Sequence, residues 1–230
     1  MQTAGDVPLG DDWLSGEERV RLAGLRVPKR HADWRLGRWT AKLAIAQHLD
    51  LPPDPEVLAE VELRPAPSGR PEVFLCGWPA PVALSLSHSC GAGLSVVAPA
   101  GFAVGCDLET VEPRSPEFLA DYFTVEEQTL VGVTPPYQRD RLLTLLWSAK
   151  ESALKSLGCG LRMDTRRVSA VPAGFLNSCG EEWQRLSIHM GGKIFHGWWS
   201  ESRQRMRTVV SDPPPLRLIE LQPGARRRPS

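Results

Sequence analysis

The feature of this sequence that most constrains its fold is a period-two alternation of apolar with smaller or polar side chains over residues 82–109. In its first part, Val82, Leu84 and Leu86 alternate with alanine and serine residues, and two further runs of the same kind follow. Successive side chains of a strand point to opposite faces, so this alternation predicts half-buried β-strands. The short, turn-rich connections between the runs predict that the strands form an antiparallel hairpin arrangement.

Helical patterns precede these strands. Residues 14–49 have the pattern of two helices separated at Pro28, and Ser15 with Glu18 has the spacing of a capping box at a helix start. A group of prolines beginning at Pro52 is expected to end the second helix, because proline lacks the backbone N–H that a helix interior needs.

A second region of helix follows the strands. Thr124 and Glu127 have the spacing of another capping box, and a long helix is predicted over residues 139–157. Gly158 directly follows the last apolar residue, which is typical of a helix C-terminus.

The last part of the chain returns to strand patterns. Strands are predicted over residues 186–189, 194–199 and 206–211, with a Gly-Gly turn between the first two. Each half of the chain thus combines helices with an antiparallel sheet. We therefore predict an α+β fold, with a division of the chain near Gly105.

Composition excludes several classes of protein. The 230 residues carry 27 basic and 27 acidic side chains, so the formal net charge is zero. A neutral chain has no general attraction for nucleic acid or for an anionic membrane surface, and we expect neither as a partner. The apolar stretches are far shorter than the roughly 18–20 residues of a membrane helix. No secretory signal is recognisable at the start, which makes a cytoplasmic location the expectation.

Two acidic side chains lie at the end of the period-two region. Alternation along a strand places Asp107 and Glu109 on one face, where two carboxylates can share a hard divalent cation. The alternative interpretation is a solvated acidic pair at a strand end, without a ligand.

The predicted long helix carries a second charged pair. Its core-facing stripe is formed by Leu142, Leu146, Ala149, Ala153 and Leu157. Glu151 and Lys155 lie roughly opposite this stripe and one turn apart. The structural alternative is an exposed salt bridge worth about 0.2–0.5 kcal/mol. A glycine-rich stop directly after the pair favours a ligand site, because glycine lets the backbone approach a ligand closely.

A third feature is Ser87 with His88 at the end of a predicted strand, where a hydroxyl and an imidazole can meet a phosphate oxygen. Together these features resemble the ordered signatures of the 4′-phosphopantetheinyl transferases, in particular the larger monomeric type typified by the surfactin-synthetase activator. The resemblance extends over about residues 15–210. Its segments are Gly69-Arg70-Pro71, Ser87-His88-Ser89, Val104 to Glu109, Tyr122-Phe123-Thr124, Trp147 to Lys155, and Gly158 to Leu161.

The resemblance implies a reaction. Members of this family move the phosphopantetheine arm of coenzyme A onto a serine of an acyl, peptidyl or aryl carrier protein and release adenosine 3′,5′-bisphosphate. It implies that Asp107, Glu109 and Glu151 hold Mg²⁺, with Mn²⁺ as an alternative ion. Glu151 is expected to accept the serine proton, directly or through a metal-bound water, and Lys155 to stabilise the leaving phosphate.

Further residues are expected to bind coenzyme A, whose 3′-phosphate calls for a separate cationic cradle. Arginine suits bidentate contacts with phosphate. By resemblance the expected coenzyme A contacts are Arg21, Arg30, Arg38, Arg70, Ser87, His88, Lys150 and Lys155.

The resemblance also implies an organisation. It predicts two similar α+β halves related by pseudo-two-fold symmetry, each an antiparallel sheet packed on helices. Residues 1–105 would form the half that binds the 3′-phosphate and adenine, residues 106–215 the half with the metal and the catalytic helix, and residues 216–230 a tail. A monomer is expected, with an apo carrier protein as its macromolecular partner. Residues 118–123 are a hypothetical docking surface for this carrier.

Two other functions remain open at this point. One is a non-catalytic coenzyme A-binding protein that has kept the cradle and lost the transfer reaction. The other is a metal-dependent pyrophosphohydrolase that cleaves coenzyme A with water. The presence of Asp107, Glu151 and Lys155 together favours the transferase over the non-catalytic protein.

Overall fold

The computed structural model describes residues 1–175, 182–215 and 217–221. Its contacts divide the chain into two units, one of Met1–Phe102 together with residues 217–221, the other of residues 103–215. Helices and antiparallel sheets occur in both, so the prediction of an α+β fold is confirmed. Among the described residues no helix combines the length and apolar character needed to cross a membrane. Residues 216 and 222–230 of the predicted tail lie outside the described residues.

The helices and strands alternate in blocks along the chain. The α-helices are α1 (Gly16–Ala23), α2 (Pro28–His48), α3 (Pro55–Ala59), α4 (Pro116–Tyr122), α5 (Val125–Val133) and α6 (Pro136–Leu157). The strands are β1 (Gln2–Thr3), β2 (Val61–Pro65), β3 (Pro71–Leu75), β4 (Trp78–Pro79), β5 (Val82–Ser89), β6 (Ala92–Pro99), β7 (Ala103–Thr110), β8 (Ser169–Pro172), β9 (Gln184–Met190), β10 (Lys193–Ser202) and β11 (Arg205–Asp212).

The first unit begins with the predicted helices. The Ser15 side chain accepts the Glu18 backbone N–H, and the Glu18 carboxylate accepts the Ser15 N–H, so the predicted capping box is confirmed. Pro28 is the first residue of α2, where its missing N–H costs nothing. The short helix α3 was not predicted, because the prolines around it indicated only a helix end.

The strands of the first unit form two small antiparallel sheets, in the orders β1-β6-β5 and β2-β3-β4. The β5–β6 hairpin is confirmed, but the prediction that the third run of the period-two region joins it is wrong. This run, β7, pairs with β11 instead, more than 90 residues further along the chain. Period-two alternation shows that a segment is a strand and does not specify its partner.

The second unit contains a five-stranded antiparallel sheet in the order β7-β11-β10-β9-β8. The predicted strands here are confirmed as β9, β10 and β11, whereas the short strand β8 and helix α4 were not predicted. Helix α6 packs on β7 and β11 and buries its predicted core stripe, except that Leu157 is only partly buried. Gly158 ends α6 in the left-handed conformation at φ 70°, as its position predicted.

Each unit contains a buried glutamate–lysine pair of the same kind. In the first, Glu18 of α1 pairs with Lys42 of α2 at 2.6 Å, and in the second, Glu127 of α5 pairs with Lys150 of α6 at 2.7 Å. Each glutamate belongs to a capping box, and each lysine is fully buried and also donates to two backbone carbonyls. Neither pair was predicted, because a buried lysine is rare and the sequence shows no convincing internal repeat.

Candidate active site

One face of strand β7 points at helix α6. Gly105, Asp107 and Glu109 alternate along β7 and therefore share this face. A Cβ atom at Gly105 would lie 1.8 Å from the Ser152 carbonyl oxygen and 2.6 Å from the Ser156 backbone nitrogen. Only glycine allows the two backbones to come this close, and this contact sets how near α6 lies to the two carboxylates.

The closest charged contact of the site joins the strand to the helix. Lys155 Nζ lies 2.6 Å from Asp107 Oδ1 and 3.9 Å from Glu151 Oε2, so the predicted pair within the helix is the weaker of the two. The Asp107 side chain is only 5% exposed, against 27% for Lys155. Burial alone would lower the pKa of Lys155, but the charge of Asp107, its hydrogen bond and the charge of Glu151 outweigh burial and raise this pKa.

Glu109 lies at the other end of the same strand face. The Trp147 indole N–H donates to Glu109 Oε1 at 3.2 Å, and Arg114 Nη2 lies 3.3 Å from Glu109 Oε2. Burial raises the pKa of Glu109 to about 7, and the neighbouring charge of Asp107 adds to the effect. This carboxyl group therefore titrates near neutral pH.

Glu151 lies on α6, four residues after Trp147, which contacts Glu109, and four residues before Lys155, which contacts Asp107. Its side chain is 18% exposed. Burial is the largest cause of its raised pKa, and the charge of Asp107 raises the pKa further against the opposing effect of Lys155. Strand and helix thus bring together the predicted carboxylates and Lys155, all in the second unit.

The chemistry of this donor set fits a hard divalent cation, which prefers carboxylate oxygens. After burial, the charges of Asp107 and Glu151 both contribute to the raised pKa of Glu109, and the charge of Asp107 contributes to the raised pKa of Glu151. Within residues 1–175, 182–215 and 217–221, however, no group of three or more His, Cys, Asp or Glu side chains is arranged closely enough to hold a metal ion. In this arrangement Lys155 supplies the positive charge nearest to Asp107.

Lys150 does not join this cluster. Its ammonium group is completely buried, where it pairs with Glu127 and donates to the carbonyl oxygens of Thr165 and Val168. Burial is the largest influence and lowers its pKa, although Glu127 opposes this. The expected contact with coenzyme A therefore does not fit the structure, because all the polar interactions of Lys150 are internal.

The expected coenzyme A residues of the first unit fall into two groups. Arg21, Arg30 and His88 are exposed, as a surface contact with a phosphate requires, and Arg70 is half-buried beside the β2–β3 turn. Arg38, by contrast, is largely buried: its guanidinium lies 3.3 Å from Glu18 and over the ring of Trp34.

Ser87 and His88 are not presented together. Both lie in the regular ladder of β5, opposite Leu94 and Gly93 of β6. Adjacent residues in a regular strand point to opposite faces of the sheet, so the two side chains cannot meet one phosphate from a single face. Each therefore stays a separate prediction, with His88 the more exposed of the two.

The hypothetical docking surface at residues 118–123 is also only partly available. Phe118, Tyr122 and Phe123 surround Trp147, with ring centroids 4.9, 5.3 and 6.4 Å away. Phe123 is 1% exposed and belongs to the core, whereas Tyr122 is 39% exposed. This aromatic cluster supports the Trp147 indole that donates to Glu109.

Sequence reasoning missed two residues beside the carboxylates. Arg114, in the segment after β7, contacts Glu109 and also Glu112, and its guanidinium lies over the ring of Phe118. Thr208 lies directly opposite Asp107 in the β7–β11 ladder. No motif marked either position. Arg114 reaches Glu109 from only five residues further along an irregular segment, whereas Thr208 reaches the site through pairing with a strand far away in the chain.

One protein-family model matches part of the chain. Residues 103–210, just under half of the chain, match the family model of the 4′-phosphopantetheinyl transferase superfamily. The matched region contains all four clustered residues, Asp107, Glu109, Glu151 and Lys155. The chain is thus similar to this superfamily over the unit that carries the candidate active site.

Among solved structures, the chain is similar to the crystal structure of the Thermotoga maritima holo-[acyl-carrier-protein] synthase. The identity is 21%, and the match covers 47% of this chain and 61% of that one, with a TM-score of 0.36. A TM-score this low does not establish a shared fold. No curated protein sequence matches the chain.

Proposed function

We propose that this protein transfers the 4′-phosphopantetheine group of coenzyme A to a serine of an apo carrier protein. The observation that carries the proposal is the cluster of Asp107, Glu109, Glu151 and Lys155 within the region that matches the transferase superfamily. Three carboxylates and an ammonium group on a close strand–helix contact suit a reaction at a pyrophosphate, in which negative charge must be neutralised as it shifts between oxygens.

The reaction exchanges one phosphorus–oxygen bond for another. The serine oxygen bonds to the phosphorus that bears the pantetheine arm, and the bond from this phosphorus to the bridging oxygen breaks. Adenosine 3′,5′-bisphosphate leaves with the bridging oxygen and its electron pair, and the serine proton passes to a base. Glu151 is the proposed base, because burial and the charge of Asp107 raise its pKa toward the range in which a carboxylate accepts a proton effectively.

Lys155 is proposed to stabilise the leaving phosphate. Its ammonium group is already held at the site by Asp107 and is 27% exposed, so it is accessible to an incoming anion. Asp107, Glu109 and Glu151 are the proposed ligands of Mg²⁺, or of Mn²⁺ in its place, and they would have to come closer together than in the described structure to hold the ion. The ion would supply charge neutralisation at the pyrophosphate oxygens. Trp147 and Arg114 orient Glu109 by contacting one oxygen each.

The first unit is proposed to bind the nucleotide part of coenzyme A. Arg21, Arg30 and His88 are exposed and could contact the 3′-phosphate, with Arg70 as a further contact. Arg38 is a weaker candidate, because its side chain is only 12% exposed and already contacts Glu18. Lys150 is not proposed as a contact, because its ammonium group is buried and pairs with Glu127.

We further propose the larger monomeric type of transferase, resembling the surfactin-synthetase activator. The support is that the chain has two units and that the match to the superfamily lies in the second, so the first unit is additional to the matched region. All four clustered residues belong to that one unit, so a second copy is not needed to complete the cluster. A cytoplasmic location and an acyl, peptidyl or aryl carrier as the partner belong to the same proposal.

One incubation separates this function from its two alternatives. The protein is mixed with coenzyme A and Mg²⁺, with and without an apo carrier protein, and both the nucleotide products and the carrier mass are measured. A transferase releases adenosine 3′,5′-bisphosphate only with carrier, and the carrier serine gains one phosphopantetheine group. A pyrophosphohydrolase releases the nucleotide without carrier, and a non-catalytic binding protein gives neither product. Either of the last two results would overturn the proposal.

A further inference from the structure

A network of buried hydroxyl groups ties helix α6 to strand β11. Thr208 Oγ1 donates to the Ser148 carbonyl oxygen at 2.9 Å. It also lies 2.8 Å from Ser148 Oγ and 2.7 Å from Ser152 Oγ, and either oxygen of each pair can be the donor. The Ser152 hydroxyl also reaches the Thr208 carbonyl oxygen at 3.2 Å. All three residues are completely buried.

This network lies next to the candidate active site. Thr208 is the β11 residue directly opposite Asp107, so their side chains share the face of the sheet that α6 covers. Ser148 and Ser152 flank Glu151 in the sequence of α6, and Ser152 is also the residue whose carbonyl touches Gly105. The Thr208 hydroxyl therefore connects β11, at the position paired with Asp107, to the turn of α6 that carries Glu151.

Apolar packing alone would not set the position of α6 along its axis as sharply. Hydrophobic attraction has no preferred direction, whereas hydrogen bonds weaken steeply when their distance or angle changes. Lys155 lies on α6 and Asp107 on β7, and Lys155 Nζ is 2.6 Å from Asp107 Oδ1. A small rotation or slide of α6 therefore changes this contact directly. Misplacement by about 1 Å can cost about 100-fold in rate.

We infer that Thr208 is a positioning residue of the candidate active site: its hydroxyl fixes α6 so that Lys155 reaches Asp107 and Glu151 lies beside them. Its effect on transfer rests on the proposed function. Its effect on the contact between Lys155 and Asp107 does not, and this contact can be measured in the protein alone.

The test is Thr208→Val, which keeps the side-chain shape and removes the hydroxyl. Thr144→Val is the matched control, because Thr144 is also buried, lies on α6 and has no hydrogen-bond partner for its hydroxyl among the described residues. The chain has only five lysines, so the ¹⁵Nζ NMR signal of Lys155 can be assigned with Lys155→Arg. Thr208→Ser restores a hydroxyl.

We expect Thr208→Val to shift the ¹⁵Nζ signal of Lys155, to lower kcat about tenfold and to change KM for coenzyme A less than about twofold. Thr208→Ser should recover most of kcat and the wild-type signal, and Thr144→Val should match wild type in both. If Thr208→Val remains folded and equals Thr144→Val in signal and kcat, the inference is overturned.

Two further results keep the inference separate from folding and from the proposed function. If Thr208→Val does not fold, Ser152→Ala removes both contacts of the Ser152 hydroxyl with Thr208 instead, and a wild-type Lys155 signal and kcat in that variant would overturn the inference. If the wild-type protein transfers nothing to any carrier, the proposed function fails, while the Lys155 signal still decides whether Thr208 positions the helix.

Discussion

Lys155 on helix α6 makes its closest ionic contact with Asp107 on strand β7, at 2.6 Å, and not with Glu151 of its own helix, at 3.9 Å. The ammonium group thus links the two elements that carry the proposed metal ligands. It also neutralises the carboxylate that a divalent cation would need. A lysine and a metal ion are therefore expected to compete for Asp107 until a phosphate group draws the lysine away.

Lys155→Met tests this competition. Removing the ammonium leaves Asp107 available to a cation and removes a repulsive charge, so Mn²⁺ should bind about tenfold more tightly in the absence of coenzyme A. The measurement is a Mn²⁺ titration followed by electron paramagnetic resonance, with Lys193→Met, at the exposed first position of β10, as the control. An unchanged affinity in Lys155→Met would show that Lys155 does not occupy the cation site.

The raised pKa of Glu109 predicts a pH dependence of stability. The folded pKa of about 7 exceeds the ordinary 4.5, so between these values the native state holds a proton that the unfolded chain has lost. The free energy of unfolding should therefore fall as the pH rises from about 5 to about 7, by on the order of 3 kcal/mol, and level off above that.

Urea unfolding at several pH values without divalent cations measures this fall. Glu109→Gln should remove most of it, because the neutral amide cannot titrate. Glu112→Gln, which alters an exposed neighbour that also contacts Arg114, should leave it intact. A wild-type stability that stays level or increases from pH 5 to pH 7 is incompatible with a buried, proton-retaining Glu109.

Gly105→Ala tests the close approach of β7 and α6. The added methyl group would lie 1.8 Å from a backbone carbonyl, so the helix must move, at a cost of about 3 kcal/mol. Thermal unfolding measures the cost, and the ¹⁵Nζ signal of Lys155 reports the movement. Gly132→Ala is the control: its methyl group meets open space on helix α5, so it should be neutral or stabilising by up to about 1 kcal/mol. Equal stability of the two variants would exclude a tight contact at Gly105.

The buried Glu127–Lys150 pair is expected to contribute to the free energy of unfolding, and the Glu18–Lys42 pair of the first unit offers a comparison. Lys150→Met leaves a buried carboxylate without its partner and should cost about 3–5 kcal/mol of unfolding free energy, and Lys42→Met should cost a similar amount in the first unit. Urea unfolding measures both. The double variant Glu127→Leu, Lys150→Met should recover much of the loss, because it removes both charges. A loss below about 1 kcal/mol for Lys150→Met would mean that the lysine is not held in the interior.

Local signals predicted much of the fold. The two capping boxes, the end of α6 at Gly158 and the hairpins of both units follow from spacing and turn residues, and all are observed. The partner of β7 could not be predicted, because alternation carries no information about which distant strand completes a ladder. The role of Thr208 was hidden for the same reason.

The candidate site was predictable where helix and strand periodicity suffice. Alternation along β7 indicated that Asp107 and Glu109 share a face. Turn spacing placed Lys155 one turn from Glu151, but its contact with Asp107 depends on how α6 packs on β7, which the spacing does not specify. The burial of Lys150 could have been recognised: it lies four residues after Leu146 and three before Ala153, on the core side of the helix. The motif resemblance drew attention to its charge instead of its position.

The most direct test of the central claim measures phosphopantetheine transfer to an apo carrier by wild type, Asp107→Asn, Glu151→Gln and Lys155→Met, each confirmed as folded by its thermal transition. Wild type should load the carrier serine, the three variants should each lose about 100-fold or more in kcat, and the control Glu112→Gln should retain the wild-type rate. Full activity in any of the three variants, or no carrier loading by wild type, would contradict the account.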